Sequence, residues 1–348
     1  MTPVDVVDAG RAVVVLRNND GVLDPLNTSS TLYPGVEPRR PVNLYADGVQ
    51  VYAGFVDDID LGYSPGGDAI VTLTASDGLA RLALAEFPSA GLAVSEQDSG
   101  ARVSAVIASD SDYWSGTTSV ETGDSTLAAG TATGNVLSYL QQVERSEGGF
   151  LFVGRSGALT FRNRNAPAAN PGDLVLSDVG GTACTPFVEL SRQAGVEALF
   201  NVVTAVYQGS TAVATEPTSV SDYGFRELDL QTLLLSSAEA TQSRVDYEVT
   251  RRADVLTSVR SVTVDQSSTP SGCSLTLQHD LGDSVTVVFS PPGVTQQTAS
   301  AVLIGVEQAF TAGRSWRTTF VLAPRDDAQF LILDDVSFGL LDVGALAF

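Results

Sequence analysis

The sequence predicts a mainly β protein with some α-helix (α+β), built from two small antiparallel β-barrel domains and an inserted helix-plus-hairpin domain. The main observation is a strand pattern that occurs twice, over residues 40–75 and again over residues 281–322. Each copy has a strand of alternating apolar and polar residues, a turn, a strand carrying one glycine, and a closing strand. The length agrees, because 348 residues suit two or three domains with their own cores.

Residues 1–77 are predicted to form the first barrel. They open with an apolar strand, Ala12–Leu16, and the following Asn18–Gly21 supplies residues that tolerate the left-handed backbone of a tight turn. An irregular stretch then leads to the strand that begins at Val42.

Residues 78–165 are predicted to form the inserted α+β domain. Apolar residues at helical spacing from Val136 to Val143 indicate a helix, and Gly148 ends it. The next apolar segments indicate a two-stranded hairpin that turns at residues 155–157. A helix packed on a hairpin would make a compact unit.

The remaining chain is predicted as a linker over 166–197, a second barrel over 198–325 and a C-terminal tail over 326–348. Proline and alanine near the start of the second range favour a linker. The second barrel is expected to begin at its first apolar strand, close to residue 199, and to include a helix near 237–252.

The amino-acid composition argues against several classes of function. The formal net charge is -22 and the basic residues are all arginine, 19 in number. Nucleic-acid readers take affinity from basic groups on phosphates, and the absence of lysine removes phosphate-loop and Schiff-base lysines. We find neither a long apolar run nor a basic leader, and therefore expect the chain to be made as a soluble cytoplasmic protein.

Catalytic patterns are weak. Gly62–Gly66 matches Gly-x-Ser-x-Gly, but a strand follows it directly, so we interpret it as a hairpin turn. His279 is the sole histidine and lies in a strand-like stretch, which disfavours a Ser-His-Asp system. We therefore predict no enzyme activity and no catalytic residue.

Metal and cofactor sites are also not predicted. Asp58 and Asp60 should share a strand face, which suits a cation or a solvated edge better than acid/base chemistry, and Asp334-Asp335 offers no facing pair. Cys184 and Cys273 form no Cys-x-x-Cys pattern. We interpret them as buried small apolar residues, with a disulfide as the alternative.

Several motifs occur in a characteristic order along the chain. The first are Asp24-Pro25-Leu26-Asn27, Tyr33-Pro34-Gly35 and Tyr52-Ala53-Gly54-Phe55. Further matches are Ala75–Leu82, Val136–Phe152, Gly157–Arg162, Leu281–Asp283 and Phe330–Asp342. This order resembles the minor tail proteins of long-tailed phages (siphophages) of actinobacteria, which are similar to the tail-tip or baseplate hub (tail hub) family.

The resemblance implies tail-tube-like barrels and a structural role at the tail tip of the virion. A homotrimer would form a ring that caps the tail tube, adapts sixfold to threefold symmetry and gates DNA exit, since three chains with two like barrels present six like units. Implied partners are a distal tail protein ring, the tape measure protein and other minor tail proteins. DNA would only pass through the channel, and the host cell surface would be met indirectly.

We expect the repeated strands to make the ring contacts, and acidic groups lining the channel would repel the passing DNA. The residues predicted at these contacts are Val42, Leu44, Val51, Tyr52, Phe55, Val285, Val287 and Phe289. Two alternatives remain open: a distal tail protein of a sixfold ring, and a tail module that binds or degrades host-surface carbohydrate.

Overall fold

The computed structural model describes residues 6–166, 174–179, 185–255, 257–267 and 276–325. They group into two compact units, Val6–Asn163 and the chain from Arg164 onward. The structure is mainly β with a minority of helix, which confirms the predicted class. Among the described residues, no helix is long and apolar enough to span a membrane. The predicted tail, 326–348, lies outside the described residues.

The first unit begins with a four-stranded antiparallel sheet in the order β1-β4-β3-β2. One face is apolar and packs inward, with Val56, Val71 and Ala75 buried. The turn between β2 and β3 uses Asp47 and Gly48, both with positive φ, as a two-residue hairpin requires. The strands are β1 Arg11–Arg17, β2 Pro41–Ala46, β3 Val49–Tyr63 and β4 Ala69–Ser76.

Asp77 connects this sheet to the rest of the unit. Its Oδ1 accepts a hydrogen bond from the Leu79 amide at 2.8 Å, which caps helix α1, Gly78–Leu82. Its Oδ2 accepts one from the Gly10 amide at 2.7 Å, just before β1. Burial raises the pKa of Asp77 to about 6, although these backbone amides lower it. One carboxylate thus fixes both the exit from β4 and the entry to β1.

The rest of the first unit packs helices α2 and α3 on small sheets. The predicted helix is confirmed as α3, which ends at Gly148 with φ of 76°, and the predicted hairpin is confirmed as β10 and β11. Strand β7 adds to this hairpin in the parallel direction. The elements are β5 Leu92–Val94, β6 Gln97–Asp98, α2 Ser99–Ala108, β7 Thr118–Val120, β8 Thr126–Leu127, β9 Gly130–Ala132, α3 Val136–Glu147, β10 Phe150–Val153 and β11 Leu159–Arg162.

Two acidic side chains of α3 are buried. Glu147 accepts hydrogen bonds from Ser99 Oγ at 2.7 Å and the Ser125 amide at 2.9 Å. Glu144 Oε1 accepts one from the Leu151 amide at 2.9 Å, which joins the helix to β10. Burial raises the pKa of Glu144 to about 8, against the smaller lowering effect of backbone amides and Arg145. Glu144 is therefore mostly protonated at neutral pH.

The second unit contains a seven-stranded sheet in the order β13-β12-β19-β20-β21-β18-β14. Its apolar core includes Leu176, Val262, Leu303 and Phe320. Strand β12 runs parallel to β19, so the sheet is mixed and differs from the antiparallel prediction. The strands are β12 Leu174–Ser177, β13 Thr185–Pro186, β14 Glu189–Ala194, β18 Thr257–Asp265, β19 Ser284–Phe289, β20 Gln297–Thr311 and β21 Ser315–Pro324.

The chain connection forces this sheet to curl. Strand β13 ends at Pro186 and β14 begins at Glu189, so only Phe187 and Val188 join opposite ends of the strand order. Three Cα–Cα steps span at most ~11 Å, whereas the outer strands of a flat seven-stranded sheet lie ~29 Å apart. The two edges must therefore approach each other.

The strand pattern repeated in the sequence has the same topology in both sheets. The order β1-β4-β3-β2 corresponds to β18-β21-β20-β19, with antiparallel neighbours throughout. The long strands β3 and β20 each have 15 residues. Each contains one extra residue relative to its closing strand, Asp57 in β3 and Ile304 in β20. Such bulges bend and twist a strand locally, so the copies also share the position of their bend.

The segment predicted as a linker, 166–197, differs from that prediction. Its described residues form β12, β13 and β14, which cover both outer sides of the repeated four-strand pattern. Strand β14, Glu189–Ala194, is an edge strand with one solvated face, so its sequence shows only weak alternation of apolar and polar residues. Proline-rich composition near residue 167 gave no indication of these strands.

The predicted start of the second barrel also differs. Strand β15 belongs to a separate three-stranded sheet, β16-β15-β17, on which helix α5 packs with Val245 and Val249 buried. The helix predicted near 237–252 is confirmed as α5, capped by Ser237. The elements are β15 Val202–Tyr207, β16 Ser210–Thr215, α4 Pro217–Tyr223, β17 Glu227–Thr232 and α5 Ala238–Arg252.

Helix α5 also buries a charged triad at successive turns. Glu248 pairs with Arg244, and its Oε2 accepts a hydrogen bond from Arg252 Nε at 2.5 Å. Burial raises the pKa of Glu248, but the charges of Arg244, Arg252 and Arg251 outweigh burial, so the pKa lies well below its ordinary value. Each charge is tolerated because its partner is buried with it.

We predict that Glu144→Gln makes the stability of the protein less dependent on pH. The Glu144 pKa is about 8 in the folded chain and 4.5 ordinarily, so its contribution is fully present below 4.5 and is lost as pH rises through 8. Urea unfolding followed by circular dichroism should show wild-type stability falling between pH 6 and 8. The variant should show a flatter profile over that range, where Asp77 contributes little.

Glu147→Gln is the matched control on the same helix. Its Oε2 accepts hydrogen bonds from Ser99 Oγ and the Ser125 amide, and its Oε1 accepts one from the Asp124 amide at 3.3 Å. Glutamine has a single acceptor oxygen and an amide nitrogen that only donates, so the variant loses an acceptor on one side of this network. This control should lower stability by about 1–3 kcal/mol at every pH. Parallel profiles for wild type and Glu144→Gln between pH 6 and 8 would contradict the assignment.

Candidate functional site

The candidate site is the uncovered part of the first sheet. Within the described residues, β1 and β2 each pair with only one neighbouring strand, so both sheet edges present free backbone amides and carbonyls. The equivalent strands of the second sheet, β18 and β19, are covered by β14 and β12. Because uncovered edges readily accept another strand, the first sheet has two positions for pairing that the second sheet fills within the chain.

The outer face of the first sheet, next to β1, exposes apolar side chains, which is unusual for a surface in contact with water. Val13 and Val15 are 62% and 61% exposed, and Arg11 and Arg17 lie at the two ends of the strand. Register places Val13 beside Thr74 and Val15 beside Thr72 on β4. Those threonines pair with Asp58 and Asp60 on β3, so basic and apolar groups at the edge give way to acidic groups two strands away. This gradient suits contact with a second surface of the same kind.

The segment between β1 and β2 is an ordered series of turns. Backbone hydrogen bonds link every third residue, from Asn18 through Gly21, Asp24 and Asn27 to Ser30. Asp24 also accepts hydrogen bonds from the Leu26 amide at 2.9 Å and from Tyr63 Oη at 2.8 Å, and these contacts lower its pKa. Leu26 is thereby held in place while 87% exposed.

The predicted contact residues of the first copy lie at or near the β2 edge. Val42 and Leu44 on β2 are half-buried, as are Val51, Tyr52 and Phe55 on β3. Leu44 pairs with Tyr52 across the two strands. They therefore lie where an added strand would contact them, and their role in a ring stays a prediction.

The surroundings of Gly54 explain why the first copy of the repeated strand pattern has a glycine at this position. A Cβ at this position would lie 2.5 Å from Tyr52 Oη and 2.5 Å from the Ser76 carbonyl oxygen. The Tyr52 ring thus occupies the space over Gly54, and its hydroxyl donates a hydrogen bond to the Gly10 carbonyl at 3.3 Å. Burial raises the pKa of Tyr52, with smaller effects from Asp77 and Asp57. The glycine allows an aromatic ring to tie β3 to the start of β1.

The predicted contact residues of the second copy need correction. Val285, Val287 and Phe289 are buried in the core of their own sheet. Strand β19 is hydrogen-bonded on both sides, to β12 and β20, so its backbone is also used. A strand of alternating apolar residues has the same sequence pattern whether its apolar face packs against its own chain or against a neighbouring chain. The pattern therefore could not show that these residues belong to the core of their own sheet.

Sequence reasoning did not select Arg11, Val13, Val15, Arg17 or Leu26. A signal was present, because four apolar residues in succession at Val13–Leu16 cannot all face one side of a strand. In a two-faced sheet with one solvated side, such a run indicates that the outer side also meets an apolar surface.

The weighed catalytic motifs lie as follows. Gly62–Gly66 covers the end of β3 and the hairpin turn that leads to β4, as predicted, and the Ser64 amide donates a hydrogen bond to the Asp68 carbonyl at 2.9 Å. His279 Nδ1 lies 3.2 Å from Asp283 Oδ2. Asp58 and Asp60 share the outer face, as expected from their register.

The predicted metal and thiol positions are only partly described. In the part of the chain that the structure describes, no group of three or more His, Cys, Asp or Glu side chains could hold a metal ion. Cys184, Cys273 and Asp334-Asp335 lie outside the described residues.

Comparisons with known proteins identify the fold. No protein-family model and no curated protein matches the chain. A tail protein from Neisseria meningitidis is 17% identical, with a TM-score of 0.60 over 82% of this chain and 83% of its own. A 43 kDa tail protein of prophage MuSo2 from Shewanella oneidensis is 14% identical, with a TM-score of 0.57 over 93% and 91%.

A third solved structure is a component of the type VI secretion system of Escherichia coli, itself similar in structure to tail proteins of bacteriophage T4. It is 11% identical, with a TM-score of 0.52 over 92% of this chain and 71% of its own. The chain therefore has a fold found in phage tail proteins, as the sequence resemblance implied at this coarser level.

We predict that Gly54→Ala destabilises the protein by about 1–3 kcal/mol, because the new methyl group would overlap Tyr52 and the Ser76 backbone. Gly130→Ala is the matched control, since that strand glycine lies in the same unit and its Cβ would meet nothing within 4 Å. Urea unfolding measures both variants. Equal stability of the two would show that Tyr52 does not occupy the space over Gly54.

Proposed function

We propose that this chain is a structural hub subunit at the tail tip of a long-tailed phage. Three copies form a ring that caps the tail tube, adapts its sixfold symmetry to threefold and gates DNA exit. The observation that carries the proposal is the repeated sheet topology, with equal order, direction and bulge in the two units. The fold shared with phage tail proteins supports the same setting.

The physical reason is symmetry. A closed ring of identical chains needs a heterologous contact that repeats around the axis. Because each chain contains two similar sheets, a trimer contains six similar sheets. It can therefore bind to a sixfold ring although it has only three copies of the chain. A single-sheet subunit, as in the alternative of a distal tail protein, would not need the repeat.

We place the ring contacts at the first sheet, on the β1 and β2 edges and the outer face beside them. The exposed Val13 and Val15 supply apolar area, and the arginines that flank them can meet the acidic side of a neighbouring sheet that carries Asp58 and Asp60. Val42, Leu44, Val51, Tyr52 and Phe55 keep their proposed role near the β2 edge.

The strong negative charge has a role in this proposal. With a net charge of -22, the ring repels the phosphate backbone, and DNA slides through the channel without binding. The ring would contact the distal tail protein, the tape measure protein and other minor tail proteins. The protein would act structurally rather than as an enzyme.

Purified tails imaged by electron cryo-microscopy test this function. We expect three copies of the chain at the tail tip, with threefold symmetry of the hub and approximate sixfold symmetry of its sheets. A copy number of six, or a position away from the tip, would contradict the proposal.

We predict that Val15→Arg weakens trimer formation at least about tenfold, because it places a charge in the apolar centre of the contact. Sedimentation velocity of the purified chain, with tail-ring protein added where assembly requires it, measures the effect. Val213→Arg is the control, an exposed valine of β16 in the other unit. Both variants should unfold within about 0.5 kcal/mol of wild type. Equal association of the two variants would contradict the assigned surface.

A further inference from the structure

Two adjoining hollows lie within the first unit, beside the first sheet. The smaller has a cavity volume of about 210 Å³ and includes Asn43, Phe55, Arg81 and Trp114 in its lining. The larger has a volume of about 410 Å³, and Trp114 lines it as well. Together they have the size of small-ligand sites in proteins, ~300–1,000 Å³.

Trp114 is held rigidly between the hollows. Its ring lies so close to Gly78 that a Cβ there would overlap it, and its Nε1 donates a hydrogen bond to the Thr117 carbonyl at 3.0 Å. The only donor of the indole is thus used, and what remains for a ligand is its apolar surface. A rigid aromatic surface lowers the entropy cost of binding.

Arg81 supplies an exposed positive charge at the smaller hollow. Its guanidinium lies over the Phe55 ring, 5.1 Å from the ring centre, and among the described residues it forms no ion pair. Although acidic residues outnumber arginines 41 to 19 in this chain, no described carboxylate pairs with Arg81, so its guanidinium can pair with the carboxylate of a ligand. Its planar donors fit a carboxylate in two-point geometry.

The other lining groups favour a polyhydroxyl ligand. Asn43, Ser115 and Ser156 line the smaller hollow, and Ser104, Ser111 and Thr118 line the larger one. Amides and hydroxyls both donate and accept, as sugar hydroxyls require. If the ligand were an acidic side chain of another protein, it would pair with Arg81 but would form no hydrogen bonds with these amides and hydroxyls.

We propose that these hollows bind a carboxylated sugar, of the uronic acid type. The carboxylate pairs with Arg81, the apolar face of the sugar ring stacks on Trp114, and the hydroxyls bond to Asn43 and the serines. The site lies at the β2 side of the sheet and the neighbouring loop, whereas the exposed valines of the proposed ring contact lie on β1 at the other edge. Phe55 is the one residue that belongs to both surfaces.

Tryptophan fluorescence of the full chain tests the site. Trp316→Phe leaves Trp114 as the remaining tryptophan, because the sequence has 2. Titration with D-glucuronate should change Trp114 emission saturably. Glucose should bind at least about tenfold more weakly, because it lacks the charge-assisted hydrogen bonds.

Two arginine variants in the same background decide the role of Arg81. Arg81→Gln should weaken glucuronate binding at least about tenfold, and Arg314→Gln, an equal charge change at an exposed turn of the other unit, should leave it unchanged. No saturable response to glucuronate, or equal responses from both variants, would overturn the proposal. A response to the dipeptide Glu-Gly as strong as to glucuronate would also overturn it, because the site would then recognise a carboxylate without the sugar.

Discussion

The need to pair the backbone at strand edges is the constraint on which the structure depends. In the second unit, β12 and β14 cover both sides of the repeated four strands, and the short connection through Phe187 and Val188 draws the sheet ends together. In the first unit, the same four strands have no such covering strands within the described residues. Because unpaired edges invite another chain, this one difference separates a sheet completed within the chain from one suited to assembly.

Local packing leaves the β1 and β2 edges of the first sheet unpaired within the described residues, but it fixes the end of the sheet where β1 begins and β4 ends. Asp77 bonds to Gly10 and Leu79, and Tyr52 reaches the Gly10 carbonyl across Gly54. These contacts hold the start of β1 against the end of β4 without covering the β1 edge. The start of β1 is therefore fixed by contacts within the chain, which would reduce the conformational entropy lost on the association proposed above.

The two surfaces proposed as functional differ in chemistry. The β1 face combines exposed valines with charges of both signs, which suits contact with a protein surface. The Trp114 hollows combine one fixed aromatic ring, an arginine and several hydroxyls, which suits a small polar ligand. The two proposals therefore assign assembly to one surface and ligand binding to the other.

The sequence alone determined the elements whose signals are local: the period of two in β3 and β20, the capped helices α3 and α5, and the hairpin turn at Gly62–Gly66. Only the tertiary structure decided which strands share a sheet. It placed Val285, Val287 and Phe289 in a core, moved β15 to a separate sheet and recruited β12 and β14 from the predicted linker. The physical reason is that alternation fixes which side chains share a face, whereas the partner across an edge depends on backbone pairing between residues distant in the chain.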